Sequence, residues 1–182
     1  MNPCFHSQRC GENVNLSPAM NIEFDEKRWE KTKRNYRQWW AGELKRPLIA
    51  ASLSGRTPTC SKPAGPWHDF NSYYGADASA EHIVDWHQYH LESAYWLGDG
   101  FPSTWANYGP GVIAAFLGAQ VANGSDEAPT TWFHPQELKE AKDLHLKLIP
   151  DNPWYRMVQN VYRVAQERFQ GMVQLGMTDL GG

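Results

Sequence analysis

Two short apolar runs restrict the fold of this chain more than any other feature of its sequence. Residues 47–53 read PLIAASL and are followed by Ser54-Gly55, and residues 172–177 read MVQLGM directly after Gly171. Short runs of this kind, bounded by turn residues, are typical of strands buried on both faces of a parallel sheet. Helical patterns separate them. This order predicts an α/β fold with right-handed crossovers.

The helical stretches share apolar residues at three- and four-residue spacing, with capping residues at their ends. They are predicted at Asp25–Ala41, Ser79–Leu97, Val112–Leu117, Pro135–Leu148 and from Asn152-Pro153 to Gly171. A further strand is predicted at Phe101–Tyr108, and a short extended piece at Thr130–Phe133. The strands at 47–53, 101–108 and 172–177 are predicted to lie side by side and parallel, with flanking helices and an N-terminal helix.

Composition limits the class of protein. Of the 182 residues, 41% are hydrophobic, which is enough for one ordinary core. The net charge of -3 argues against a nucleic-acid-binding surface. No apolar run reaches the roughly 18 to 20 residues of a membrane span, and the first residues lack the apolar region of a secretory signal. We therefore expect a cytoplasmic protein that binds neither nucleic acid nor membrane.

The first 22 residues show no periodic pattern, so they are predicted to be a disordered N-terminal extension of a domain at 23–182. The pattern begins just after Met20, which we expect to be the natural start. Cys4, His6 and Cys10 lie in the extension, but their spacing matches no familiar zinc motif. The three cysteines are an odd number at irregular spacing, which favours free thiols over a disulfide framework.

Candidate site residues follow from the predicted strands, because the loops after parallel strands line the site in such folds. The candidates are Ser52 and Arg56 after the first strand, Trp105, Asn107 and Tyr108 at the end of the second, and Asp179 after the third. The two aromatic residues are candidates for stacking on a flat ligand, and packing in the core is the alternative. Asp179 is a candidate acid or base.

Other polar residues have a structural interpretation that we prefer. Asp99 lies between two glycines and is more typical of a turn than of an acid paired with Asp179. His87 and His90 share a helix face, but no carboxylate at zinc-ligand spacing accompanies them, which favours packed or exposed histidines. The loop from Ser54 to Ala76 is too long for a simple connection, and this length predicts either a lid or a mobile segment.

Three segments carry a resemblance to a known family. They read RPLIAASLSGR, GDGFPSTWANYGPGVIAAFLGAQV and GMVQLGMTDLGG. They resemble the first, second and third barrel strands of the uroporphyrinogen decarboxylase superfamily, and the likeness extends from about Glu23 to the end. The resemblance implies a partial (β/α)8 TIM barrel with three of its eight strands, and hence a fragment that self-associates through exposed barrel edges and is inactive alone.

The resemblance also implies roles for the candidates. Arg56 corresponds to the second of two arginines that hold substrate carboxylates, and Ser52 stands at the first. Asn107 corresponds to the aspartate of the decarboxylases, and an amide donates a hydrogen bond but does not offset a cation. The implied substrate is a small anionic or tetrapyrrole-type molecule, bound through Arg56, Ser52, Trp105 and Tyr108, with Asn107 and Asp179 catalytic.

Two branches of the superfamily remain open, a carboxy-lyase and a methyltransferase linked to a corrinoid protein. The methyltransferases hold zinc through His and Cys ligands on later strands, so the resemblance implies no cofactor in this fragment and zinc in a full-length protein. The alternative to an enzyme is a non-catalytic binding module or an inert truncated remnant. Among these residues the sequence indicates no metal ligands.

Overall fold

The computed structural model of the chain describes residues 20–181 except 126, 139 and 144. Its helices are α1 Glu26–Trp40, α2 Ala80–Glu92, α3 Val112–Phe116 and α4 Pro153–Phe169. Its strands are β1 Ala50–Ser54, β2 Ala94–Gly98, β3 Ser103–Trp105, β4 Gln120–Asn123, β5 Thr131–His134 and β6 Gln174–Gly176. Short 3-10 helices span Asn71–Tyr74 and Ala141–Asp143.

Helix α4 is the main packing element, and it forms as the sequence predicts. The side chain of Asn152 accepts hydrogen bonds from the N–H groups of Trp154 and Tyr155 at 2.9 and 3.2 Å, and Pro153 occupies the first turn. The buried face of α4 joins α2 and α3 in one core. The helix ends at Gln170, which has a left-handed φ of 46°.

Strands β3 and β6 form a parallel pair, with Ser103, Thr104 and Trp105 opposite Gln174, Leu175 and Gly176. This confirms the predicted direction of the second and third strands, although both are shorter than expected. Side chains on one face of the pair, Ala106, Val173 and Leu175 among them, pack into the helical core. On the other face Ser103, Trp105 and Gly176 are exposed.

The prediction of three parallel strands is wrong, because β1 pairs antiparallel with β2 and, in the described chain, with no other strand. Strand β2 occupies residues that the helix prediction extended to Leu97. The helix ends at Ser93, and the aromatic residues after it favour an extended chain. All five residues of β1 are exposed, so PLIAASL is not a strand buried on both faces.

The described strands form three two-stranded sheets in a mixed α/β arrangement, and none of them closes into a barrel. The third sheet pairs β4 antiparallel with β5, and β5 agrees with the extended piece predicted at 130–133. The α-helix predicted at 135–148 is wrong, since its described residues contain only the short 3-10 turn. Leu138 and Leu148, both on the predicted apolar stripe, are 94% and 44% exposed, so packing does not stabilise a helix there.

The core includes a residue on the N-terminal side of the predicted domain boundary at residue 23. Ile22 is buried and belongs to the core, and Met20 packs against it. The rest of the predicted extension, residues 1–19 with Cys4, His6 and Cys10, lies outside the described residues.

Asp99, the turn residue between two glycines, is buried and bonds to three residues in two other segments of the chain. Its carboxylate accepts a bidentate pair of hydrogen bonds from Arg46 at 2.6 and 2.7 Å, one from Asn35 at 2.8 Å and one from the N–H of Ile49 at 3.1 Å. The bond with Arg46 is the main reason why the pKa of Asp99 lies well below its usual range, despite burial. The preferred structural interpretation of Asp99 agrees with these contacts.

A second buried carboxylate, Glu92, anchors the long loop to the end of α2. It accepts hydrogen bonds from the N–H and hydroxyl of Thr59 at 2.7 and 2.8 Å, from the N–H of Cys60 at 3.2 Å and from Gln88 at 2.9 Å. Burial by itself raises the pKa of Glu92, but these hydrogen bonds favour the charged form and lower the pKa to about 2.

We predict that this network makes part of the stability depend on pH. The Glu92 pKa is lowered from 4.5 to about 2 on folding, so its contribution is complete above pH 4.5 and is lost as the pH falls towards 2. Glu92→Gln should lower the free energy of unfolding by about 2 to 3 kcal/mol at pH 7 and flatten its decline in acid. Urea unfolding between neutral and acidic pH measures both effects.

The matched control is Glu167→Gln, which removes an exposed carboxylate paired with Arg163 on one helix. Such surface pairs contribute little, so this variant should unfold almost like the wild type at every pH. A Glu92→Gln variant with the acid dependence of the wild type would contradict the prediction.

Candidate functional site at the carboxyl end of the parallel pair

The segments that leave β3 and β6 are held together at the carboxyl edge of the pair. The hydroxyl of Thr178 donates a hydrogen bond to the carbonyl of Ala106 at 2.7 Å, and that of Tyr162 on α4 donates to the carbonyl of Gly176 at 2.7 Å. Thr178 is 5% exposed, so its bond is shielded from water. Asn107 and Asp179 directly follow the two residues joined by this bond. They therefore lie at the same edge.

Asn107 is half-buried, and a backbone N–H two residues later orients its side chain. Its Oδ1 accepts a hydrogen bond from the N–H of Gly109 at 3.1 Å. Within the described residues, its Nδ2 has no hydrogen-bond partner. This arrangement leaves an N–H donor available to a carboxylate or an oxyanion.

Asp179 has a similar local bond. Its Oδ1 accepts from the N–H of Gly181 at 2.8 Å, and no hydrogen bond to Oδ2 occurs in the described part of the chain. A half-buried carboxylate with one oxygen engaged keeps a second oxygen that can accept a proton or bind a cation.

Trp105 is the exposed aromatic residue next to this edge. It is 40% exposed, and its register partner is Gly176, where an added Cβ would lie 3.3 Å from the Trp105 Cβ. The missing side chain at Gly176 therefore allows Trp105 to lie close to the backbone of β6. Met177, the residue after the strand, is 76% exposed. Together they give the edge an apolar surface.

Tyr108 does not share this surface, although the sequence made it a candidate for ligand stacking. It is 1% exposed and packs edge-on against Trp154, with ring centroids 6.2 Å apart. Burial raises the pKa of its phenol above the ordinary value. The alternation of side chains along an extended chain explains the difference, because Tyr108 points to the helical face and Trp105 to the open one.

Ser52 and Arg56 belong to the antiparallel ribbon and not to the parallel pair. Ser52 is exposed on β1. Arg56 donates to the Oδ1 of Asn21 at 2.9 Å and lies over the ring of Tyr95 at 5.9 Å. These contacts place Arg56 at the end of the ribbon away from Gly98 and the turn into β3. The structure thus does not bring Arg56 to the edge through a parallel strand.

Sequence reasoning missed one residue of the site, Asn71. The sequence places Thr178 beside Asp179 after the third predicted strand, but it does not show the bond to Ala106. Asn71 is 1% exposed, its N–H donates to the carbonyl of Asn107 at 2.6 Å, and neither atom of its side-chain amide has a partner among the described residues. Buried polar groups without partners are rare, and they often mark a bound water or ligand. A lone Asn in a long loop gives no such signal in sequence.

The histidines lie away from the parallel pair, in an aromatic cluster. His87 is 3% exposed, and burial, aided by the charge of His90, lowers its pKa to about 4. Trp67 packs on both histidines, with ring centroids 5.8 and 4.5 Å away. In the described residues no group of three or more His, Cys, Asp or Glu side chains is placed to hold a metal ion.

Comparison with known proteins found no matching family model, no matching curated protein and no matching solved structure. None of the described helices has both the length and the apolar character needed to cross a membrane.

We predict that Thr178 fixes the two strand ends. Thr178→Val keeps the shape but removes the donor to Ala106, and should lower the free energy of unfolding by about 1 to 2 kcal/mol. Thr178→Ser keeps the hydroxyl and should lose less than half as much. Thr57→Val, at an exposed position, is the control for the substitution itself. Urea unfolding compares the three, and equal losses for Val and Ser would contradict this role.

Proposed function

We propose that this chain forms the N-terminal part of a uroporphyrinogen decarboxylase-like enzyme of the carboxy-lyase or corrinoid-linked methyltransferase class. The observation that carries the proposal is the parallel pair, whose carboxyl edge gathers Asn107, Asp179 and the exposed Trp105. In barrels of this class the substrate binds at the carboxyl ends of parallel strands. The sequence resemblance supplies the family.

The open face of the pair supports a barrel-like arrangement. Parallel sheets are normally covered on both faces. Here the helices cover one face, while Ser103, Trp105 and Gly176 remain exposed on the other. We propose that this second face is the interior wall of a barrel, which requires further parallel strands opposite it. The carboxyl edge is then the mouth of the site.

Each residue of the edge has a proposed task. The free Nδ2 of Asn107 donates a hydrogen bond to a substrate carboxylate, and Trp105 supplies a flat apolar surface. The Oδ2 of Asp179 accepts or donates the proton in the reaction. Arg56 takes no part in this set, because its contacts are with Asn21 and Tyr95. Ser52 lies on β1 and lines a cleft of about 200 Å³ that Ser103 of the parallel pair also lines.

Asn107 argues against a reaction that forms a cation on the substrate. An amide at this position cannot offset the positive charge formed when a pyrrole ring is protonated. A small carboxylate, or methyl transfer with a corrinoid protein as partner, suits the edge better than decarboxylation of a tetrapyrrole. The methyltransferase branch would add zinc in the full-length protein, on His and Cys ligands of later strands.

A non-catalytic binding module is the second candidate, and one observation favours it. The Oδ1 atoms of both Asn107 and Asp179 bond to backbone N–H groups two residues later. Such bonds are common in turns that have no catalytic role. A module of this kind would bind the same carboxylates without chemistry.

Both candidate functions require that the edge bind a carboxylate, and binding of a flat carboxylate tests this requirement. We expect coproporphyrin, a stable tetracarboxylate, to quench the tryptophan fluorescence of the chain, and a cationic porphyrin of similar size to bind at least tenfold more weakly. Trp105→Ala should weaken coproporphyrin about tenfold, because the stacking surface is lost. Trp132→Ala is the matched control, since Trp132 is 59% exposed on β5.

The variant Asn107→Asp tests the Nδ2 donor without removing the hydrogen bond that shapes the turn. The variant keeps an oxygen for the Gly109 N–H but replaces the Nδ2 donor with a charge that repels carboxylates. Its melting temperature should match the wild type, while its affinity for coproporphyrin falls about tenfold or more. Unchanged affinity in Trp105→Ala and Asn107→Asp would overturn the proposed site.

A further inference from the structure

A separate cleft of about 340 Å³ lies beside the long loop between β1 and α2. Four rings line it, those of Trp67, His68, Phe70 and Tyr73, and Asp69 contributes a carboxylate. This volume is at the small end of the range of about 300 to 1,000 Å³ that is typical of ligand pockets. The proposed catalytic edge uses none of these side chains.

The walls of the cleft are fixed by contacts behind them. Trp67 packs against Trp86, with ring centroids 6.1 Å apart, and against His90 at 4.5 Å. The hydroxyl of Tyr73 donates to the carbonyl of Gly124 at 3.0 Å, and the ring stacks on His68 at 5.3 Å with 23° between the planes. Because these rings are already held in place, ordering them costs a ligand little binding free energy.

The carboxylate is fixed relative to the largest ring. The indole N–H of Trp67 donates to the Oδ1 of Asp69 at 2.9 Å, and Asp69 is exposed. A negative charge next to aromatic faces attracts a cation, because both the charge and the ring quadrupoles favour it. The neighbouring rings already attract a cation of the protein, since the Nζ of Lys62 lies 5.8 Å from the centroid of Trp86.

We propose that this cleft binds a small quaternary ammonium compound, with Trp67 and Tyr73 against its methyl groups and Asp69 beside its charge. A primary ammonium needs three hydrogen-bond acceptors, whereas a quaternary ammonium has no N–H and needs none. A lining that consists mainly of rings and prolines suits the methylated form. The inference does not depend on the proposed function.

Choline and its neutral carbon analogue, 3,3-dimethylbutan-1-ol, test the proposal because they differ in charge and hardly in shape. Isothermal titration of the full chain should show choline binding about 3- to 30-fold more tightly than the analogue. Asp69→Asn should weaken choline about five- to tenfold and leave the analogue unchanged. Asp77→Asn, an exposed aspartate outside the cleft lining, should leave both unchanged.

The ring contribution needs a variant that folds. Trp67→Phe keeps an aromatic ring in the packing but has a weaker cation-binding face and no N–H for Asp69, and should weaken choline about threefold or more in a chain that still unfolds cooperatively. Equal affinities for choline and the analogue would overturn the proposal, as would no choline binding up to about 10 mM. Binding of a proline-rich peptide that choline does not displace would also overturn it and assign the cleft to peptide docking.

Discussion

The buried carboxylate of Asp99 determines how the rest of the chain is arranged. It bonds to Asn35 on α1, to Arg46 before β1 and to the N–H of Ile49 at the entrance to β1, from a position in the turn between β2 and β3. Gly98 makes that turn possible, because its φ is +60° and an added Cβ would lie 2.2 Å from the carbonyl of Ile49. A buried charge with fewer partners would be costly, so these hydrogen bonds favour the observed geometry of the junction.

That junction explains why the two sheets have different roles. Strand β1 leaves the junction and β2 returns to it, so the two strands form an antiparallel ribbon. Arg56 lies beyond the other end of the ribbon, beside Asn21. The chain then continues into β3, which packs on α2, while its partner β6 packs on α4. The polar residues at the carboxyl edge therefore come from the parallel pair, and the arginine expected among them lies elsewhere.

The elements that the sequence predicts well are those with local signals at both ends. Helix α4 has a capping Asn152 and ends next to Gly171, and its length makes the apolar stripe unambiguous. The segment after Ser93 was harder, because Leu97 continues the helical spacing although its partner is Ala51 on β1. Residues 135–148 have apolar side chains at helical spacing, yet Leu138 is exposed and packs on no core. Tertiary contacts decided both cases, and no local pattern contains them.

The same limit applies to the site. Asn107 and Asp179 could be proposed from the ends of strands, but the bond that brings them together depends on Thr178, and the loop residue Asn71 was not predictable. Asn71 joins the two proposed sites, since its N–H bonds to Asn107 and its segment carries Tyr73 of the aromatic cleft. Its buried amide lacks partners among the described residues. A ligand in the cleft therefore contacts the segment whose Asn71 N–H is bonded directly to the carbonyl of Asn107.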